Sequence, residues 1–287
     1  MREFVITSDS TTDLPAEYLK ENEIAVASLS YVLDGITYED NKGLTSKEFY
    51  DKVRGGAMPT TSQINVEEGR ALFEPIVRAG RDILHIAFSS GLSGSCSSCQ
   101  IAANMLMEEY PGCRIEVVDS LCASLGQGLL VYLCAMERQK GRTLEEVHAF
   151  AEETKGKVCH WFTVDDLNHL KRGGRVSAAT AFFGTMLSIK PVMHVDDLGR
   201  LIPVSKSRGR RASLLALVDR MEQTAADPAH QTVFISHGDC EADARFVADE
   251  ITRRFGTKDI RINYVGPVIG NHSGPGTLAL FFLGTPR

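Results

Sequence analysis

Apolar and polar positions follow two different periods along the first half of the chain. Short apolar runs at 3–7 (EFVIT), 82–88 (DILHIAF) and 114–120 (RIEVVDS) predict strands, and 24–33 (IAVASLSYVL) predicts another. Helical patterns lie between them, at 15–23 opened by Pro15, at 44–56 closed by glycine, at 66–80 and at 99–110. Two more helices follow residue 120. Thr45 with Glu48, and Thr143 with Glu146, stand at the spacing of a capping box, in which each end satisfies an orphan backbone N–H of the other. Residues 57–65 (AMPTTSQIN) read as a linker. Alternation of strand and helix predicts a parallel sheet with helices on both faces.

A different organisation begins at 156–174 (GKVCHWFTVDDLNHLKRGG). The stretch 178–195 predicts a helix running into a strand, and 195–207 a hairpin turning at Asp197, Leu198 and Gly199. Helices at 210–226 and 240–256 alternate with strands at 232–238 and 260–266. We therefore expect two α/β domains, 1–156 and 157–287, with the boundary near Lys155 to Lys157. There is no internal repeat.

Composition narrows the function classes. The 287 residues are 43% hydrophobic and 24% charged, as in ordinary soluble proteins. A formal net charge of −6 argues against nucleic-acid binding by bulk charge, because phosphate contacts need a basic face. The basic clusters HLKRGGR and SKSRGRR are local exceptions. No apolar run is long enough to cross a bilayer, and MREFVITSDS does not read as a signal peptide. Seven cysteines without a framework spacing read as free thiols in a reducing cytosol, which makes a cytoplasmic location the expectation.

Candidate chemistry concentrates where strands end. TSDSTT, SSGLSGS, VVDS and SHGD could line one crevice, since ligands of open parallel sheets sit beyond the carboxyl ends of the strands. They could equally be helix caps. The loop 87–100 (AFSSGLSGSCSSCQ) admits three readings. As an anion seat it offers backbone N–H groups, serine hydroxyls and a helix dipole. Lacking the lysine of a P-loop, it suits a carboxylate better than a triphosphate. As a nucleophile elbow it puts Ser95 where G-x-S-x-G requires glycine; Ser93 and His272 would then serve an esterase or thioesterase. As a thiol site it offers Cys96 and Cys99, with no second ligand pair to complete a metal centre. His272 lies in a glycine-rich turn. The run Gly274 to Ala279 fits G-x-G-x-x-A but leaves too little chain for a dinucleotide fold.

Taken in order, SDSTTDL, PTTSQ, SSGLSGS, VVDS, DDLNHLKRGGRVS, GTMLSIKPV, SKSR and GPVIGNHSGPGTLALFF make a chain that resembles the DegV family. Specifically, it resembles the fatty-acid-binding subunits of bacterial fatty acid kinase. The resemblance implies a two-domain α/β protein with a long-chain fatty acid, such as palmitate, stearate or oleate, buried between its domains. By position in the motifs, Thr61, Ser93 and His272 would hold the carboxylate, with Ser62 and Gly94 beside them and Arg208 as an added partner. Arg175 would dock a separate kinase that makes an acyl-phosphate. The chain itself would be a non-catalytic lipid carrier with no cofactor and no metal. Transient membrane contact would be compatible with that role; stable insertion would not. Two departures stand out: Ile64 follows T-S-Q where proline is common, and the Cys96–Cys99 pair is unusual. The segment AATAFFGTMLSI is expected to wall an apolar tunnel.

Overall fold

The alternation in the first half of the chain folds as a parallel sheet. The computed structural model describes residues 2–176, 189–285 and 287. Its strands are β1 (Phe4–Asp9), β2 (Ala25–Ala27), β3 (Ser30–Leu33), β4 (Ile36–Glu39), β5 (Thr60–Ser62), β6 (Asp82–Ala87), β7 (Ile115–Asp119), β8 (Val158–Thr163), β9 (Ile189–Val195), β10 (Leu201–Arg208), β11 (Thr232–His237), β12 (Asp259–Tyr264) and β13 (Leu278–Leu283). Its helices are α1 (Ala16–Glu21), α2 (Ser46–Arg54), α3 (Val66–Arg78), α4 (Ser95–Glu109), α5 (Leu125–Gln139), α6 (Leu144–Lys155), α7 (Leu167–Arg172), α8 (Arg210–Thr224), α9 (Glu241–Phe255) and α10 (Pro267–Ser273).

Strands β2-β1-β6-β7 pair in that order, all parallel. The second sheet, β10-β9-β8-β13-β11-β12, is mixed: β11 and β12 are parallel, and the other pairs antiparallel. A small antiparallel sheet, β4-β3-β5, stands beside the first. The chain is thus a two-part α/β protein.

Local chemistry accounts for the helix starts. Thr45 and Thr143 both form complete capping boxes, and Asn65 with Glu68 forms a third at the start of α3. The β9–β10 hairpin turns as expected, with Asp196 accepting from the backbone N–H groups of Leu198 and Arg200 and Gly199 in the left-handed region at φ 70°.

Other expectations are corrected. The run 24–33 is two strands, because β2 pairs in parallel with β1 while β3 turns away to the small sheet. The linker 57–65 contains β5, which pairs with β3. Helix α4 begins at Ser95, four residues before the apolar pattern does. The turn around His272 is the helix α10. Of the stretch expected to wall a tunnel, 178–188 lies outside the described residues.

Helix α5 lies between the two main sheets. Its Leu125, Leu129, Leu130 and Cys134 join Ile6, Leu84 and Ile86 of the first sheet and Phe162, Phe234 and Phe281 of the second in one buried cluster. A helix apolar on most of its surface must be covered on most sides, and these sheets cover it. Strand β13 alternates cleanly: Ala279 and Phe281 face this cluster, while Leu278, Leu280 and Phe282 face α8 and α9.

Candidate functional site

The loops beyond β2, β6 and β7 meet the face of the second sheet around a cavity of about 430 Å³. Small-molecule sites commonly span about 300–1,000 Å³. Phe88, Leu92 and Ala123 come from the first half, Phe162, Val195, Leu201, Ala279 and Phe281 from the second sheet, and Val268 and Ile269 from α10. Buried polar residues line it too: the Ser273 hydroxyl has no partner among the described residues, whereas the hydrogen bonds of Ser124 and His160 are turned inward. The Ser124 hydroxyl is bonded to the Asp13 carboxyl and to Ser236 Oγ. His160 accepts from Ala123 N–H and bonds the Val158 carbonyl. Burial holds that imidazole well below its ordinary pKa, so it is neutral. Ser124 and His160 are thus satisfied and add no free charge to the apolar wall.

The polar end is different. Thr61 and Ser62 of β5, Gln63, Ser93 and Arg175 line it together with His272 of α10. His272 Nε2 lies 2.9 Å from Thr61 Oγ1. Burial, reinforced by the nearby charge of Arg175, pushes the His272 pKa down to about 4 and keeps the ring neutral at pH 7. Its Nδ1 packs against Gly173, where a Cβ would come within 2.3 Å, and has no hydrogen-bond partner among the described residues. A buried N–H without an acceptor is the costlier orphan, so the network assigns the proton to Nε2. Nε2–H then donates to Thr61 Oγ1, and the Thr61 hydroxyl hydrogen is left for an acceptor in the cavity.

Ser93 sits two residues before α4. Its Oγ accepts from Ser95 N–H at 3.2 Å and lies 3.0 Å from Ser95 Oγ, while Ser95 Oγ accepts from Ile64 N–H at 3.1 Å. The Gly94 N–H is taken by Gln63 Oε1 at 3.0 Å. A Cβ on Gly94 would meet that amide at 2.5 Å and push the Gln63 side chain aside. Since Oε1 accepts from Gly94, the Gln63 Nε2 hydrogens are the donors left over. Gln63 is a site residue that sequence reasoning left without a role, although it sits inside the quoted T-S-Q.

The structure thus brings Thr61, Ser62, Ser93, His272 and Arg175 to one cavity, with Gly94 directly behind Ser93. Arg208 is exposed at the end of β10 and is not among the lining residues. Arg175 is exposed, its Nε donating to the Leu92 carbonyl at 3.4 Å. Ser62 and Gln63 are also exposed, whereas Ser236, Ala279 and Phe281 are buried. The polar end is the end that faces solvent.

The nucleophile reading needs a Ser93–His272 pair. His272 Nε2 is instead bonded to Thr61, and Ser93 Oγ to Ser95. The thiol reading needs an activated thiol. Burial pushes Cys96 up to about 12 and raises Cys99 as well, so neither is a thiolate near neutrality. Among the described residues, no helix is long and apolar enough to cross a membrane.

The DegV family model matches residues 3–285. This chain belongs to the DegV family. A DegV domain-containing protein of Clostridium perfringens (strain 13 / Type A) is 46% identical over 289 residues, covering 100% of this chain and 99% of the relative. Among solved structures, a DegV family protein from Thermus thermophilus, described for its fatty acid binding, superposes with a TM-score of 0.90 at 31% identity, covering 99% of this chain and all of the other. DegV of Bacillus subtilis, described as a fatty acid binding protein, gives 0.88 at 30% identity over the same shares.

Proposed function

We propose that this chain binds one long-chain fatty acid between its two halves, dividing near residue 156, and presents the carboxylate to a separate ATP-dependent kinase. One observation carries the reading: an apolar cavity has its hydroxyl donors, and the imidazole that orients one of them, gathered at the end that faces solvent. The descriptions of the Thermus and Bacillus proteins support the same ligand class.

The energetics suit this division. A sixteen-carbon chain brings about 14 methylenes at about 0.8 kcal/mol each, or about 11 kcal/mol before ordering costs. Each charge-assisted hydrogen bond to the carboxylate contributes about 1.5–3 kcal/mol. The tail sets affinity and the head group sets orientation. Thr61 and Ser93 hold the carboxylate, with His272 turning the Thr61 hydroxyl toward it and Ser62 beside them. Arg175 stands exposed at the rim, its guanidinium bonded to the Leu92 and Gly173 carbonyls, and offers its charge to an acidic partner surface. The carrier supplies position, and the kinase supplies the phosphoryl chemistry.

Native mass spectrometry and lipid extraction of the purified protein test the proposal. One fatty acid per chain, or uptake of an added C14–C18 acid, is expected. A protein that is empty and takes up none of these acids overturns it.

A further inference from the structure

Helix α10 enters with a disadvantage. Its N-cap, Gly266, has no side chain, and its first helical residue, Pro267, has no N–H. Two of the remaining N-terminal donors are met from outside the helix, by residues more than 200 positions away. Asp13 Oδ1 accepts from Gly266 N–H at 3.0 Å, and Asp40 Oδ1 accepts from Val268 N–H at 3.1 Å. The Tyr50 hydroxyl donates to the Val265 carbonyl at 2.9 Å, just ahead of the helix. At its other end, α10 places His272 against Thr61. Asp13, Asp40 and Tyr50 are all buried, and none of the three is among the residues lining the cavity.

We infer that Asp13, Asp40 and Tyr50 are positioning residues for the head-group site, an external cap that seats α10 and so sets His272 to aim the Thr61 hydroxyl at the ligand carboxylate. The inference rests on the fatty-acid reading for its ligand. Burying two carboxyls is unfavourable unless each is well bonded, and simple core packing would be served better by apolar side chains. The arrangement is specific in direction, because both acids point at the positive end of one short helix and α10 carries His272 in its last turn. Asp13 is further held by the Ser124 hydroxyl, and its own carbonyl accepts from Asn263 Nδ2 at 2.8 Å, so the cap is tied to both halves of the chain.

The test compares hexadecanoic acid with hexadecan-1-ol, which keeps the tail and lacks the carboxylate. Binding of each is measured for wild type, Asp40→Ala, Asp40→Asn and the near-isosteric Tyr50→Phe. Asp40→Ala should weaken the acid about tenfold, the scale of a lost cap, and leave the alcohol unchanged. Asp40→Asn retains an acceptor for Val268 N–H and should restore acid binding to within about threefold of wild type. Tyr50→Phe should weaken the acid alone, and stands in if the alanine variant does not fold. Equal losses for acid and alcohol would mean general loosening and overturn the inference, as would no change for either. A wild-type protein that binds neither probe sinks the fatty-acid reading instead. The positioning claim is then judged without ligand by NMR titration of His272. Its pKa should rise from about 4 toward its ordinary value in Asp40→Ala or Tyr50→Phe, and an unmoved value overturns the claim.

Discussion

The Thr61 hydroxyl and the His272 imidazole meet at 2.9 Å across 211 residues of chain. One side chain comes from a three-residue strand and the other from a seven-residue helix, and neither element is stable alone. Their pairing depends on the two halves closing on each other. Replacing Thr61 with valine and Ser93 with alanine should leave the fold intact and the tail in place. Acid binding should weaken by the loss of two head-group bonds, while kinase-dependent phosphorylation should fall further, because an unaimed carboxylate is bound but not presented. Rates measured at saturating fatty acid separate the two effects. An unchanged rate in the double variant would refute the assignment.

Arg175 is exposed at the rim and carries a charge felt by His272. Arg175→Ala should keep normal lipid occupancy and normal thermal stability. It should raise the concentration of this protein needed for half-maximal kinase rate, and added salt should produce a similar defect in wild type. Loss of bound lipid in this variant would move Arg175 from the docking surface into the ligand site.

Ala279 belongs to the buried deep end of the cavity, beside Phe281. Phenylalanine at this position should shorten the space for the tail. In competition assays over C12 to C18 acids, the longest chains should lose affinity first and the shortest should be least affected. A uniform loss across all lengths would show that the tail does not pass Ala279.

Burial raises the Asp40 carboxyl from an ordinary value of 3.8 to about 7, helped by the neighbouring charge of Asp9 and opposed by bonds from Ser10, Val268 and Asn41. Asp13 faces it from the loop after β1 and is raised as well, and the phenols of Tyr31 and Tyr50 pack nearby. Between about pH 4 and pH 7 the folded protein holds a proton on Asp40 that the unfolded chain has released. Stability from this group is therefore present below pH 4 and lost as pH rises through 7, by an amount on the order of a few kcal/mol. Urea midpoints should fall from pH 5 to pH 8 in wild type, and the fall should be smaller in Asp40→Asn. Parallel slopes in the two proteins would show that Asp40 does not titrate in this range.

Much of the architecture was legible in the sequence because it is local. The capping boxes at Thr45 and Thr143 join residues three apart, and the hairpin at Asp196 to Gly199 is closed by its own side chain. The parallel strands β1 and β6 are buried along their whole length and so appear as mainly apolar runs. The glycines and serines before α4 marked that loop as a candidate, and the structure brings its Ser93 to the cavity. Tertiary structure alone decided the rest. Strand β5 is too short to show a period and exists only because β3 offers it an edge. Asp13 and Asp40 read as ordinary turn residues, since nothing nearby in the sequence reveals that they cap a helix more than 200 residues away. Gln63 gains its role only when Gly94 comes within hydrogen-bonding distance. Short-range hydrogen bonds and side-chain periodicity are written into neighbouring residues, whereas the cavity, its open polar end and the cap on α10 arise where distant segments bury each other's surfaces.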